Sequence, residues 1–593
     1  MQTILCENCN ASIEVALPDI DTQHLRSKVI LSDGEILETK KLVKQDEEVL
    51  KRYDAELKRL RGLVEKLEEG RLIIEERLRE HRGILSLLRR LPVEILDKVF
   101  TLVCLGKDIR RHEGYSLRIS SSSKRIPIRA PAYDLSHISS SWRRIVTSRP
   151  HLWTSIHLDI NGVHCDVRPL LEIYLKNSGT RPLKIKIVEK GKDDRPERWL
   201  TSDLIYATHF VGEHGLNAFR TLFTHMPRCS DLELDVNWEV LSNDGALQWN
   251  HVSFPILRTF RNSIDTGLAS ATVPGPTAWF WNALRNAPNL RDVHADRVLP
   301  PHLDMIPYHQ LTCLQISAVD GIRRLFYLLQ DSPHLQLLKI WYLDPNDDEE
   351  DTPVHIELPR LRSLSIDTAG DYPLDRFSTL FASLMMPNLE SLRIENSYSP
   401  VDIQYSLPTS FFTMLQHSSA SLRKLTLDLE DTCLADHTLV NILRILPSLT
   451  RFEVMLDGHS DLQARPSPCI AYLLDKLTIS AGSSSSCSIL APKLARLFLH
   501  ENSSRLNAKI VKLLLDMAES RSQYGLASLG RSHDLVPFHK VQLTYAFAWL
   551  DSSDEEEHEL PPRDFNPFCD PSVAERINLL KEDGTKCIIE ESD

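Results

Sequence analysis

The sequence predicts an α/β solenoid preceded by a small all-α module and a long N-terminal helix. Three observations carry that expectation. Apolar residues recur every seven positions between residues 35 and 90. A Leu-Pro pair opens an apolar helix at Leu91, and the same segment ends in Leu-Trp near residue 155. From residue 156 to 550 a Pro-x-Leu-x-x-Leu phrase recurs.

Composition sets the outer bounds. At 593 residues the chain is long enough for several domains. With 42% hydrophobic and 25% charged residues it has the makings of a sizeable core. A net charge of −13 speaks against general nucleic-acid binding, which favours a basic surface. Eleven scattered cysteines suit the reduced thiols of a cytoplasmic or nuclear protein rather than a secreted disulfide framework. The opening MQTILCENCNASIEVALPDID has neither a basic n-region nor a long apolar core, so no signal peptide is expected. No apolar run approaches the roughly 18 residues of a membrane span.

Residues 1–34 read as a short flexible leader. Cys6 and Cys9 form a CxxC, but a closed zinc site takes four ligands. The nearest histidine is His24 and no second CxxC follows, so neither a metal site nor a cofactor is expected.

Residues 35–90 carry a heptad seam. Ile36, Val43, Leu50, Leu57, Val64, Leu78 and Leu85 share one frame, interrupted by Arg71. Three positions on lie Tyr53, Leu60, Leu67, Ile74 and Leu88, with Thr39 and Asp46 at the weaker N-terminal end. These are the a and d positions of a coiled coil. Gly62, Gly70 and Gly83 each weaken the helix by about 1 kcal/mol. Two readings stand side by side: a coiled coil forming a homodimer, and an amphipathic helix folded back on its own chain.

Residues 91–155 read as helices. Pro92 suits a first turn, where its missing N–H costs nothing. Ile95, Leu96, Val99 and Phe100 then form one apolar face. Ile138, Trp142 and Ile145 repeat that spacing on the next helix. An insertion near 105–132 carries Lys107, Arg110, Arg111, Arg118, Lys124, Arg125 and Arg129 around a run of serines, and reads as a solvated loop.

The order of these motifs resembles the F-box, a helical module that docks its protein on a Skp-type adaptor in cullin ubiquitin ligases. The family pattern is Leu-Pro, an acid two positions on, Ile-Leu, a hydrophobic residue and Phe. Leu91, Pro92, Glu94, Ile95, Leu96, Val99 and Phe100 match it. Its second half is a hydrophobic residue and Cys, Trp-Arg, then Leu-Trp. Ile138, Trp142, Arg143, Leu152 and Trp153 match, while Ser139 stands where the family has Cys. The helical lead-in ending in Leu-Arg-Arg-Leu-Pro is similar to that of basidiomycete fungal F-box proteins. The resemblance covers about a tenth of the chain. It implies that Leu91, Pro92, Glu94, Ile95, Leu96, Val99, Phe100, Trp142, Leu152 and Trp153 form the adaptor-binding module. It also implies that catalysis belongs to other subunits, so the chain is a substrate-recognition subunit and not an enzyme. The alternative is an interaction scaffold that binds the adaptor without degrading a target.

Residues 156–550 repeat phrases such as APNLRDVHA, SPHLQLLKI, LPRLRSLSI, MPNLESLRI and LPSLTRFEV. The first leucines of nine copies are Leu257, Leu290, Leu311, Leu335, Leu361, Leu389, Leu422, Leu449 and Leu494. Most spacings approach the 20–29 residues of leucine-rich repeats. The Asn and Cys of regular repeats are missing, so the resemblance is to the irregular repeats of F-box proteins. Each repeat reads as one strand and one helix, with an apolar face that only its neighbours can bury. An unknown target protein would be held on this array. GSSSSCS at 482–488 reads as an exposed loop, and residues 551–593 as an acidic tail. Ser552 and Ser553, each with Glu three positions on, resemble acidic-directed kinase sites.

No catalytic constellation is present. GxSxG, HExxH, GxxxxGK[ST] and GxGxxG are all missing. The acidic run Asp347–Asp351 lacks the spaced ligands and glycine of an EF-hand.

Overall fold

The computed structural model describes residues 2–6, 11–14, 30–85, 87–106, 114–120, 128–163, 165–189, 212–236, 252–262, 278–297, 306–345, 353–368, 374–396, 407–430, 434–435, 437–457, 468–479, 489–501, 508–528, 535–546 and 570–592. The chain divides into two compact units, Met1–Lys98 and Val99–Asp593. The protein is mixed α/β, with a long N-terminal helix and a large, mostly parallel sheet. No described helix is long and apolar enough to cross a membrane.

The first unit opens with an antiparallel pair, β1 (Gln2–Cys6) and β2 (Ala11–Glu14). Within the expected leader, residues 1–34, these two segments satisfy each other's backbone groups. Cys9 lies outside the described residues. Helix α1 (Asp33–Ile84) follows, 52 residues long. Ser32 starts it with a capping box: Ser32 N–H donates to Glu35 Oε2 at 2.8 Å, and Ser32 Oγ accepts from Glu35 N–H. No residue of α1 is buried. A 3-10 turn, Leu87–Arg90, leads into α2 (Val93–Leu105), and the division between the units falls inside α2.

In the second unit come β3 (Leu117–Ile119), β4 (Ile128–Arg129), α3 (Pro131–Ile138), α4 (Ser140–Thr147), β5 (Ser155–Asp159), α5 (Arg168–Asn177), β6 (Leu183–Val188), α6 (Glu213–Phe223), β7 (Cys229–Asp235) and β8 (Thr259–Asn262). Then follow α7 (Ala278–Arg285), β9 (Asp292–Arg297), β10 (Cys313–Asp320), α8 (Ile322–Gln330), β11 (Leu337–Ile340), β12 (Leu343–Asp344), β13 (Ile356–Glu357), β14 (Ser363–Asp367), α9 (Ser378–Ser383), β15 (Leu384–Met385) and β16 (Ser391–Asn396). Last come α10 (Thr409–His417), β17 (Lys424–Glu430), α11 (Thr438–Ile445), β18 (Arg451–Asp457), α12 (Pro468–Leu477), β19 (Arg496–Glu501), α13 (Ala508–Ser520), α14 (Gln523–Ser528), β20 (Lys540–Ala546), α15 (Pro571–Glu582) and β21 (Lys586–Ser592).

The strands pair in chain order from β5 through β11, then β14 and β16 through β21, all parallel. β3 lies parallel to β5 and antiparallel to β4. β12 pairs with the end of β10, and β13 with β15.

The repeated leucines set the register. Each of the nine lies two residues before its strand, and each is buried. The strand-opening residues then pair in a line: Ser363 with Ser391, Ser391 with Lys424, Lys424 with Arg451 and Arg451 with Arg496. One carbonyl per repeat accepts two amides from the next. Arg362 O accepts from Glu390 and Ser391, and Glu390 O from Arg423 and Lys424, at 2.8–2.9 Å. Alternation does the rest. Leu364 and Ile366 of β14, or Phe452, Val454 and Leu456 of β18, are buried, with half-buried residues between them. The connecting helices supply the remaining core, as with Leu325, Phe326 and Leu329 of α8 and Leu439 and Leu443 of α11.

Several boundaries are corrected. Residues 91–155 are not all helical, because β3, β4 and β5 lie among the helices. The insertion near 105–132 is not simply a solvated loop. Leu117 and Ile119 are buried and pair with Ile156 and Leu158, extending the sheet past β5. Lys107, Arg110, Arg111, Lys124 and Arg125 lie outside the described residues. The sheet also runs past residue 550. β21 pairs with β20 over seven positions, and α15 is tied back by Arg576, which donates to Glu519 and Asp516 at 2.6 Å each. Ser552, Ser553, the serine run 482–488 and Asp347–Asp351 lie outside the described residues.

Candidate functional site

Helix α2 carries two adjacent apolar stripes with different fates. Leu96, Phe100 and Cys104, spaced by four, are buried. One step round the helix, Ile95, Val99, Leu102 and Val103 are 42%, 42%, 70% and 44% exposed. Pro92 precedes the helix, and its carbonyl accepts from Ile95 and Leu96 N–H at 3.1 Å each. Leu91 is half-buried, while Pro92 and Glu94 are exposed. A helix with so wide an apolar arc ordinarily buries all of it. Here one stripe is left facing outward.

The buried stripe anchors the helix to its neighbours. The Phe100 ring lies 4.8 Å from that of Trp142. Thr101 Oγ1 is 3.3 Å from His151 Nε2. Burial pushes the Cys104 thiol up to about 12, so it stays protonated and inert.

Ser139 has a definite task. It is extended, ends α3 and caps α4, its Oγ accepting from Trp142 N–H at 3.2 Å. Serine ranks high at that position because a hydroxyl satisfies one of the orphan amides. The single helix expected through Ile138, Trp142 and Ile145 is therefore corrected to two short ones. Ile138 ends the first and is 61% exposed, Trp142 is half-buried on the second, and Ile145 is buried.

Leu152 and Trp153 are fully buried in a 3-10 turn. Trp153 Nε1 donates to Val146 O at 2.9 Å, and its ring packs 4.8 Å from Tyr174. Trp153 lies two residues before β5, the place that the repeated leucines hold before later strands. Phe538 before β20 and Gly584 before β21 stand likewise. The leucine phrase alone missed these three. A search for alternating apolar pairs, such as Val541 and Leu543, finds them.

The other feature is the polar face of the sheet. Lys186 Nζ lies 2.5 Å from Glu233 Oε1, which also has Arg261 3.7 Å from Oε2. Farther along, Arg393 pairs with Glu395 and lies 3.8 Å from Asp428. Lys339 sits over Trp341, and Arg451 and Lys540 over Phe498. Burial, then the neighbouring Glu395 carboxylate, pushes the Asp367 carboxyl up to about 6. Among the described residues no group of His, Cys, Asp and Glu could hold a metal ion.

No protein-family model matches this chain, and no curated protein matches it.

Proposed function

We propose that the chain is the substrate-recognition subunit of a Skp–cullin–F-box ubiquitin ligase. Helix α2 docks on a Skp-type adaptor, and an irregular leucine-rich-repeat-like solenoid holds a target protein. The observation that carries this reading is the outward stripe Ile95, Val99, Leu102 and Val103, beside a buried stripe that keeps the helix in place. The mixed-charge, aromatic-bearing sheet face suits a protein target. The ligase effect would be positional: tethering makes attack by a target lysine effectively intramolecular.

The test is titration calorimetry of the full chain with a purified Skp-type adaptor. Burying an apolar side chain stabilises an interface by roughly 1.5–3 kcal/mol. The double variant Val99→Asp, Leu102→Asp should therefore weaken binding by at least about a hundredfold at ~1.4 kcal/mol per tenfold, with unfolding temperature unchanged. Changing Leu91 and Pro92 together to Ala should weaken it by about one to three orders of magnitude. No binding by the unaltered chain would sink the proposal. Adaptor binding without recovery of a cullin would favour the scaffold reading.

A further inference from the structure

Helix α1 exposes its seam along its length: Val43, Leu50, Leu57, Val64, Leu67, Ile74 and Leu78 are each more than a third exposed. Two charged residues interrupt the seam, Asp46 at a d position and Arg71 at an a position. Their placement tells two arrangements apart. A parallel in-register dimer would set Asp46 against Asp46 and Arg71 against Arg71, with Arg77 beside Arg82 on the flank. Buried like charges are costly.

We propose that α1 pairs antiparallel with α1 of a second copy, with its two-fold axis between Lys58 and Arg59. In antiparallel coiled coils a positions face d positions. The register that sets Asp46 opposite Arg71 of the second copy also sets Val43 opposite Ile74, Leu50 opposite Leu67, Tyr53 opposite Val64 and Leu57 opposite Leu60. Thr39 then meets Leu78, and Ile36 meets His81. Both seam charges are neutralised by one register, and every central apolar layer meets an apolar layer.

The flanks agree. The e positions of antiparallel helices face each other, and such flanking charges set orientation. This register brings Asp33 beside Arg82, Lys40 beside Glu75, and Asp54 beside Arg61 of the second copy. One pair, Glu47 with Glu68, is like-charged. On the opposite flank Leu42 and Leu63 meet Arg77 and Glu56, whose aliphatic stems can cover them. Within one helix Arg71 Nε lies 2.9 Å from Glu75 Oε1, with both side chains largely exposed. Such a surface pair is worth little, so Arg71 can be drawn to Asp46 of the second copy at small cost. The inference is independent of the adaptor reading.

The experiment measures the mass of the full chain by analytical ultracentrifugation at micromolar concentration. The unaltered chain is expected to be a dimer. Asp46→Lys and Arg71→Glu, singly, each create like-charge contacts twice in the antiparallel register. Each should raise the dimer dissociation constant by about a hundredfold or more. The double variant D46K/R71E restores both attractions and should restore the dimer. A parallel dimer predicts no loss in either single variant, because like faces like before and after. A monomeric unaltered chain, dimeric single variants, or failure of the double variant to recover would each overturn the proposal. Circular dichroism of each variant confirms that the helix is retained. Should a lysine or glutamate prove disruptive, Asp46→Asn and Arg71→Gln give a milder pair, each expected to weaken the dimer and each overturning the antiparallel register if it strengthens it.

Discussion

The aromatic ring of Phe100 lies 4.8 Å from that of Trp142, tilted by 58°, and so joins the buried stripe of α2 to α4. The same helix turns Val99, one residue away, to solvent at 42% exposure. Adjacent residues on one helix therefore have different surroundings, one packed against an aromatic neighbour and the other turned to solvent.

Trp142→Ala should lower stability by roughly 2–3 kcal/mol, because the ring is only half-buried. Trp153→Ala should cost more, about 3–5 kcal/mol, since it empties a fully buried site and removes the indole hydrogen bond to the Val146 carbonyl. Chemical denaturation followed by fluorescence checks the order. A smaller loss for Trp153 would contradict this account of the packing.

The half-buried carboxyl of Asp367 titrates near 6, raised by burial and then by Glu395, against the lowering effect of Arg393 and Lys339. A raised carboxyl favours the folded state only while protonated. Its contribution is present below the unfolded value and is lost as pH climbs through about 6. Asp367→Asn should therefore be more stable than the unaltered chain near neutrality. That gain should shrink as pH falls and vanish below the ordinary carboxylate range. Thermal unfolding across pH measures it, and a gain that grows on acidification would reverse the sign.

Gly62 and Gly70 lie inside α1 with open space where a Cβ would stand. Changing both to Ala should stabilise the helix by about 0.5–1 kcal/mol per site. Amide hydrogen exchange around residues 58–74 should slow by roughly two- to fivefold per site. Unchanged exchange would mean that the helix is held by something other than its own propensity.

A chain ending at Ala546 should aggregate. It loses β21 and uncovers the backbone of β20, an edge the intact chain covers. It also loses the Arg576 ties to Glu519 and Asp516 and the buried Val573 and Leu580. Size-exclusion chromatography measures it, and a monodisperse shortened chain would show the C-terminal pair to be dispensable.

Local periodicity makes much of this protein legible in its sequence. The heptads of α1 and the nine leucines before β8 to β19 were visible because each obeys a short-range spacing that the backbone imposes on its own residues. The apolar face of α2 was visible for the same reason, but its division into a buried stripe through Phe100 and an outward stripe through Leu102 was not. That division depends on which neighbour, such as Trp142, arrives from distant sequence. The break at Ser139 was hidden because Ile138, Trp142 and Ile145 keep helical spacing across it, while a capping hydrogen bond stops one helix and starts another. The placing of Leu117–Ile119 beside β5, and of Lys586–Ser592 beside β20, was likewise decided only in three dimensions. A strand's edge is completed by partners brought together by the fold, and no spacing along the chain records them.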